Sequence, residues 1–529
     1  MESQGFTSVS VPEDGRESVH AASGGRTDLQ FSRSAQWAQA LVFAILFSFP
    51  ALLCLRMAVV SDPDVWWHLR SGEWILQHHA VPRTDPFSSY GAGKPWTAYG
   101  WLFELLVLKF FQRLGLVGIV VYTTGMVLAI TVALHRLIRR LQTDFSFAVL
   151  LTAFAGFSLV PLYTPRPWLF TILFFVLETD ILMQARRSGK ARELFLLPVL
   201  FGLWSNLHIQ FVAGLLVLAI ALAEAVLAQR WTSIQTRIRP RWMCGIFAAC
   251  ILATLANPYG WKIYGIVYDL VAQHGVLSKV SELSALPFRT FGDWCVLLLA
   301  LSAVAVLARA HSFEFFESVL LAFAVFASFR SQRDIWLLVV AASAILAAGW
   351  KGDKENRFRG RASAAVFVAA ATVLALLLGF RLMNVNNSRL GADLAKEMPV
   401  RAVEVVKEKG WSGPLYNDYS WGGYLIWALR LPVSMDGRQN VYGDERIDLS
   451  VATWSGHPDW ASDPDLAKAG LVMGPVKAPL IQLLRMDPRF ELAYEDKLAA
   501  VFVARKAQSS GPAGVAAASA ATPAHPPCK

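Results

Sequence analysis

Long apolar runs, separated by short polar stretches, fill the chain between residues 36 and 383. Several runs are longer than the roughly 18 residues that cross a hydrocarbon layer about 30 Å thick. The pattern predicts a mainly α protein, a polytopic membrane helix bundle with about eleven spans. The predicted spans lie near residues 38–60, 115–135, 146–163, 167–184, 194–207, 210–228, 242–257, 293–309, 314–329, 334–350 and 362–383.

Basic residues collect in every second loop between the predicted spans. Because cytoplasmic loops carry an excess of lysine and arginine, these loops are predicted to face the cytoplasm. The N-terminus is then inside, and an odd number of spans leaves the segment after residue 383 outside. The clusters are Arg139 and Arg140; Arg186, Arg187, Lys190 and Arg192; Arg230, Arg237, Arg239 and Arg241; and Lys351, Lys354, Arg357, Arg359 and Arg361.

The segments outside the apolar runs differ in composition. Two long outer loops are predicted at residues 61–114 and 258–292. The polar tails, 1–35 and 506–529, are predicted to be disordered. Residues 384–505 predict a small extracytoplasmic α/β domain, with a helix at 394–409 and strands at 413–416, 432–435, 471–473, 490–494 and 499–504.

The composition supports a membrane protein and disfavours other classes. Of the 529 residues, 55% are hydrophobic and 17% charged, against about 25% charged in soluble domains. The basic loops explain the net charge of +10, so no nucleic-acid partner is expected. The five cysteines show neither metal-ligand spacing nor a disulfide framework, and no nucleotide-binding glycine loop is evident. The polar start predicts no cleavable signal peptide, so the first span directs insertion.

The first outer loop begins with two carboxylates, Asp62 and Asp64, at the predicted membrane surface. A carboxylate there could accept a proton from an acceptor hydroxyl, or hold a divalent cation such as Mg²⁺ or Mn²⁺. Alternatively, both acids cap the following helix, and the aromatic residues belong to an interfacial belt. The neighbouring candidates for substrate binding are Trp66, Trp67 and His68.

Further along this loop, Arg83 and Asp85 could pair with each other or face a substrate. The Asp85-Pro86 step is also typical of a simple turn. Glu104 lies among tryptophan and leucine, where an unpaired carboxylate at membrane depth is costly and usually has a partner or a task. Glu104 is therefore a third candidate catalytic acid.

The loop contains Asp-x-Asp-x-Trp-Trp-His-Leu from residue 62, Gly-Glu-Trp from 72, Asp-Pro-Phe-Ser from 85 and Pro-Trp from 95. These motifs resemble the first loop of an uncharacterised group of bacterial membrane proteins that is grouped with the GT-C glycosyltransferases. The GT-C class includes protein O-mannosyltransferases, aminoarabinose transferases and oligosaccharyltransferase subunits, which use polyprenyl- or dolichyl-linked sugar donors. Residues 38–383 resemble the class as a whole in architecture, since all of these enzymes have several membrane spans and an acidic first outer loop.

The resemblance implies a role for the first-loop acids. Asp62 or Asp64 would match the catalytic acidic position of the class. The mannosyltransferases have an adjacent Asp-Glu pair where this chain has Asp-Pro-Asp, so the resemblance does not choose between the two. It also implies a location in the bacterial inner membrane.

A lipid-phosphate donor needs cationic or hydrogen-bonding groups near its phosphate. Residues at the predicted outer ends of the spans offer such groups, although Arg166 could simply snorkel to the surface and His208 could bond between helices. Asn257 could likewise only terminate a helix before a proline. The candidates are Arg166, Asn206, His208, Asn257, Tyr259, Arg330 and Arg333, with Glu282 as a possible second acid.

In the C-terminal domain, Asp436 and Arg438 follow a predicted strand beside an aromatic, glycine-containing segment. Such an edge could bind a sugar through aromatic stacking and hydrogen bonds. Equally, the two side chains could pair locally.

These observations favour a membrane glycosyltransferase of the cell envelope. The hypothesis is transfer of a hexosyl or pentosyl group from a polyprenyl-phosphate donor to a glycan, lipid or protein acceptor at the outer membrane face. The alternatives are a transporter or flippase for a lipid or glycan, and a non-catalytic envelope assembly protein. A transporter would predict charged residues buried in mid-span.

Overall fold

The computed structural model describes residues 24–56, 59–232, 234, 236–272, 281–310, 314–350 and 362–505. Both predicted disordered tails fall largely or wholly outside these residues. The last basic cluster, at 351–361, and residues 273–280 of the second outer loop also lie outside them.

A helix corresponds to each of the eleven predicted spans, and three further helices lie in the two predicted outer loops. In chain order the helices up to residue 382 are α1 (Gly24–Cys54), α2 (Pro63–His78), α3 (Trp101–Leu114), α4 (Leu116–Leu141), α5 (Phe145–Ser158), α6 (Trp168–Ser188), α7 (Leu197–Leu207), α8 (Phe211–Leu227), α9 (Pro240–Thr254), α10 (Lys262–Ala272), α11 (Phe291–Ala308), α12 (Phe315–Arg330), α13 (Ile335–Gly349) and α14 (Ala362–Leu382).

Within the described residues, six helical segments are long and apolar enough to cross a membrane. The chain is therefore a multi-pass integral membrane protein. A helix such as α5, with 14 residues, is only about 21 Å long at 1.5 Å per residue, so length alone does not make it a span. The number of spans and their orientation remain predictions. The six segments are Gln36–Cys54, Leu116–Leu141, Trp168–Ser188, Phe291–Ala308, Gln332–Gly349 and Ala364–Leu382.

Helix α13 forms the centre of the bundle. Every residue from Ile335 to Ala347 is buried, as expected for a helix that is apolar on all sides and enclosed by other helices. It packs against α4, α6, α11 and α12. By contrast, only 11% of the apolar window of α14 is buried, so this helix lies at the periphery and packs mainly on α1.

The C-terminal segment contains a four-stranded sheet in the order β1-β2-β4-β3. The β1–β2 pair is parallel, whereas β4 is antiparallel to both neighbours. The elements are α15 (Asn387–Glu397), α16 (Val400–Lys409), β1 (Leu415–Asn417), α17 (Gly422–Leu429), α18 (Gln439–Trp454), α19 (Pro464–Ala467), β2 (Leu471–Pro475), α20 (Pro479–Leu484), β3 (Phe490–Glu495) and β4 (Ala499–Ala504).

Two predicted elements of this segment were wrong in detail. The single helix at 394–409 is divided in two around Pro399, which cannot continue the hydrogen bonding of α15. Residues 432–435 do not form a regular strand. Instead, Val433 makes isolated bridges to Leu415 of β1 and to Ser88 of the first outer loop, which joins the two parts of the molecule.

Candidate functional site

A cavity of about 680 Å³ lies where the first outer loop, the adjacent helix ends and the C-terminal segment meet. Its walls come from the start of α2, residues 96–104, the start of α6, and parts of α8, α10, α12 and α13. The C-terminal segment contributes residues 419–420 and 437–440. The cavity therefore combines residues that are more than 300 positions apart in the chain.

The two first-loop acids have different positions at the N-terminus of α2. Asp62 is the N-cap residue, and its Oδ1 accepts a hydrogen bond from the backbone N–H of Asp64 at 2.9 Å. Pro63 occupies the first helical position, where its missing N–H costs nothing. Asp64 lines the cavity. The capping interpretation therefore holds for Asp62, and the side chain available to a substrate is that of Asp64.

Arg166 joins three acids from distant parts of the sequence. Its Nε donates to Asp62 Oδ2 at 2.8 Å, its Nη1 donates to Asp64 Oδ2, and its Nη2 donates to Glu282 Oε1 at 3.2 Å. Burial raises the pKa of Asp64 to about 6, against the lowering effect of Arg166, and the charge of Asp62 adds to the rise. Asp64 is thus a carboxylate that can exchange a proton near neutral pH.

The same cluster bears on the predicted divalent cation. The described residues include no group of three or more His, Cys, Asp or Glu side chains arranged to hold a metal. Both oxygens of Asp62 already accept hydrogen bonds, from Asp64 N–H and from Arg166. The acids that a metal would use are turned toward a guanidinium, so they do not fit a metal ion as they stand.

Two arginines near the end of α12 line the cavity. Neither Arg330 nor Arg333 forms an ion pair within the described ranges of the chain, and Arg330 is exposed. The Arg333 guanidinium lies 5.3 Å from the ring centroid of Trp168, and its buried Nε has no hydrogen-bond partner there. Guanidinium groups with unused donors are suited to a phosphate.

One wall of the cavity is apolar. It consists of Val212, Ala213 and Leu216 of α8, Val267 and Leu270 of α10, and Phe323, Phe326 and Ala327 of α12. Leu216 is 47% exposed and Phe326 66% exposed. These two residues also lie on the surface of the bundle, so the apolar wall of the cavity continues onto an exposed apolar surface.

Two buried histidines and Glu104 line the cavity. Burial lowers the pKa of His68 and His208 well below the usual range. It raises the pKa of Glu104 to about 8. Ser71 Oγ donates to Glu104 Oε2 at 2.5 Å, and His68 Nδ1 lies 3.4 Å from Glu104 Oε1. Glu104 therefore has hydrogen-bonding partners, as expected for a buried carboxyl group. His208 Nδ1 forms a hydrogen bond with Thr171 Oγ1 at 2.8 Å.

Asp85, Asp436 and Arg438 are brought together in a buried cluster beside the cavity, whose wall includes Arg438. Arg438 Nη1 donates to Asp85 Oδ1 at 2.5 Å and Nη2 donates to Asp436 Oδ2 at 2.7 Å. All three side chains are 0% exposed. The cluster forms a buried link between the first outer loop and the C-terminal segment, and Asp436 and Arg438 pair locally as the alternative predicted. Their role in sugar binding stays a prediction.

Other predicted site residues lie outside the cavity walls. Trp66 packs against Tyr424 and other aromatic rings, whereas Trp67 does line the cavity. Arg83 is exposed and does not pair with Asp85, whose partner is Arg438.

The three candidates around α7, α9 and α10 have hydrogen-bond partners within the fold. Asn206 Oδ1 accepts from Trp101 Nε1 at 2.8 Å. Asn257 bonds to the backbone around its own turn, as the helix-termination alternative predicted. Tyr259 Oη accepts from the backbone N–H of Ala98 and donates to a first-loop carbonyl. None of the three lines the cavity.

Several cavity residues were not among the sequence candidates. Tyr99 and Tyr419 belong to aromatic runs in the first loop and the C-terminal segment, but nothing in the sequence brings these runs together. The pKa of Tyr419 is raised by burial and by the nearby charge of Asp64. The others include Trp168, Gln210 and Gln439.

No family model matches the chain, and no curated protein matches it. One similar solved structure is an oligosaccharyltransferase from Archaeoglobus fulgidus tethered with an acceptor peptide: TM-score 0.48, 11% identity, covering 84% of this chain and 69% of that one. Another is ArnT from Cupriavidus metallidurans bound to undecaprenyl phosphate: TM-score 0.41, 13% identity, covering 88% and 99%.

Proposed function

We propose that the protein is a membrane glycosyltransferase that uses a polyprenyl-phosphate-linked sugar as donor at the outer membrane face. The observation that supports this most is the composition of one cavity. A carboxylate with a pKa of about 6, Asp64, shares the cavity with Arg330 and Arg333, neither of which forms an ion pair among the described residues. The apolar wall of the cavity includes the exposed side chains of Leu216 and Phe326, which suits a lipid chain.

In the proposed reaction, Arg330 and Arg333 bind the donor phosphate and Asp64 acts on the acceptor. The acceptor hydroxyl oxygen attacks the anomeric carbon of the sugar and forms the new glycosidic bond. The bond between that carbon and the phosphate oxygen breaks, and its electron pair leaves with the phosphate. The hydroxyl proton passes to the Asp64 carboxylate, whose pKa suits a general base. The arginines offset the charge that develops on the leaving phosphate.

A binding measurement tests the phosphate site without knowledge of the sugar. The purified protein would be titrated with undecaprenyl phosphate in detergent and the complex measured by native mass spectrometry. We expect Arg330→Gln and Arg333→Gln each to weaken binding by about tenfold or more, since a charge-assisted hydrogen bond contributes about 1.5–3 kcal/mol. Arg309→Gln is the matched control, because Arg309 follows α11 and does not line the cavity.

If both cavity variants bind as the parent does, the phosphate does not lie at these arginines. The transferase proposal then loses its principal support.

One observation favours the transporter alternative. Glu178 lies in the middle of α6, is 0% exposed, and neither of its carboxylate oxygens has a hydrogen-bond partner in the described part of the chain. Gly214 of α8 leaves the space it occupies, since a Cβ there would lie 2.6 Å from Glu178 Oε2. A carboxyl group at this depth is a candidate for a transport pathway. Lipid translocation in proteoliposomes that is lost in Glu178→Gln, with no sugar transfer by the parent, would favour transport.

A further inference from the structure

Arg166 occupies the centre of the acidic cluster in a fixed position. It lies between Pro165 and Pro167, which restrict the backbone on both sides. Its side chain is only 11% exposed, and the Asp62 and Asp64 side chains are 7% and 15% exposed. Among the three acids only Glu282, at 43%, is substantially open to solvent.

The hydrogen bonds show that the guanidinium uses separate donors for separate acids. Nε, Nη1 and Nη2 each donate to a different carboxylate, so one planar cation holds three anions from three segments of the chain. This arrangement places one positive charge beside carboxylate oxygens from three segments, and the described residues include no group of such acids arranged to hold a metal ion.

The remaining carboxylate oxygens leave little room for a second cation. Asp62 Oδ1 accepts the N–H that caps α2. Asp64 Oδ1 faces Gly437, where an added Cβ would overlap it. A metal ion could bind these acids only after the guanidinium had moved away from them.

From this geometry we propose that Arg166 takes the place of a divalent cation in the site, so that the first-loop acids act without a metal. In terms of the proposed function, Arg166 holds Asp62 and Asp64 in position, while Arg330 and Arg333 bind the donor phosphate. The cation that pairs with the three acids is then an arginine side chain of the protein itself.

The test uses Mn²⁺ alone and needs no donor. Free Mn²⁺ would be measured by electron paramagnetic resonance during titration of the parent protein and of Arg166→Gln, each as the full chain in detergent. We expect no stoichiometric site in the parent. The variant releases three carboxylates from their cation and should bind one Mn²⁺ per chain below about 1 mM, the weak end of oxygen-ligand divalent sites.

Two controls identify the origin of the new site. Arg330→Gln removes the same charge from the same cavity but frees no carboxylate, so it should not gain Mn²⁺ binding. Adding Asp64→Asn to Arg166→Gln should weaken the gained binding at least about tenfold by removing a charged ligand. If Arg166→Gln does not fold, Arg166→Lys replaces it. One ammonium group cannot donate to all three carboxylates in the geometry of the guanidinium, so this variant should still bind Mn²⁺ more tightly than the parent.

Stoichiometric Mn²⁺ binding by the parent that Asp64→Asn removes would overturn the inference. A folded Arg166 variant that gains no Mn²⁺ binding would also overturn the inference, because the three acids would then not form a cation-binding site. Neither result depends on finding a donor. Conversely, a failure of every sugar donor to react would refute the proposed function and leave the Mn²⁺ result unchanged.

Discussion

The buried link between the first outer loop and the C-terminal segment should be essential for holding the cavity together. Arg438→Met would replace the guanidinium by an apolar side chain of similar length and leave Asp85 and Asp436 without their counter-charge. Both acids and the arginine are 0% exposed. Removing one partner of a buried ion pair costs about 3–5 kcal/mol, because the remaining charge stays desolvated.

The loss should appear first where the two parts of the chain meet. There the backbone N–H of Val433 donates to Phe87 O at 3.1 Å, and that of Ser89 donates to Val433 O at 2.9 Å. In hydrogen exchange measured by mass spectrometry, peptides containing these amides should lose protection by about 10²-fold or more, since about 1.4 kcal/mol corresponds to a factor of ten.

Arg430→Met provides the matched control. Arg430 also joins the C-terminal segment to the first outer loop, through Glu73, but the two side chains are 40% and 24% exposed. Exposed pairs contribute about 0–1 kcal/mol, so protection should change less than about fivefold. Equal protection in the Arg438 and Arg430 variants would refute the assignment of the buried cluster as the main link.

Three further predictions concern the cavity. Asp64→Asn should abolish sugar transfer. In the parent, the transfer rate should fall as the pH drops through about 6, because the Asp64 carboxylate becomes protonated there. A transfer rate independent of pH between 5 and 8 would exclude Asp64 as the general base. Gly437→Ala should reduce transfer at least about tenfold, because its Cβ would meet the Asp64 carboxylate, whereas Gly125→Ala, with no atom within 4 Å, should behave as the parent in the same assay. Glu104→Gln should remove a pH dependence of the free energy of unfolding. Because burial raises the pKa of Glu104 to about 8, the folded parent gains stability below about pH 4.5 and loses this contribution as the pH rises to about 8. Parallel curves of stability against pH for parent and variant would contradict the assignment.

Much of the bundle could be predicted because span formation is a local property. Each predicted span is matched by a helix, since a run of apolar residues determines its own position. The split around Pro399 was also visible in principle, because proline interrupts helical hydrogen bonding. The assignment of Val433 to a strand failed because its partners, Leu415 and Ser88, form only isolated bridges.

The site was predictable only in its residue types. The sequence placed acids and arginines at one side of the bundle, but it did not show that Arg166 pairs with Glu282, which lies 116 residues away. Nor did it distinguish Asp62, which caps α2, from Asp64, which lines the cavity. These differences depend on tertiary contacts, and one sequence carries no direct record of such contacts. The resemblance to the GT-C class remains a prediction.

The most direct test of the account is turnover of a lipid-linked sugar. The purified parent and Asp64→Asn would be incubated with a panel of polyprenyl-phosphate sugars, with EDTA and with added Mn²⁺, and release of the polyprenyl phosphate would be measured after confirming that both proteins are folded. We predict that the parent releases the lipid phosphate from at least one donor and that the folded variant does not. An active parent whose activity Asp64→Asn leaves intact would contradict the account.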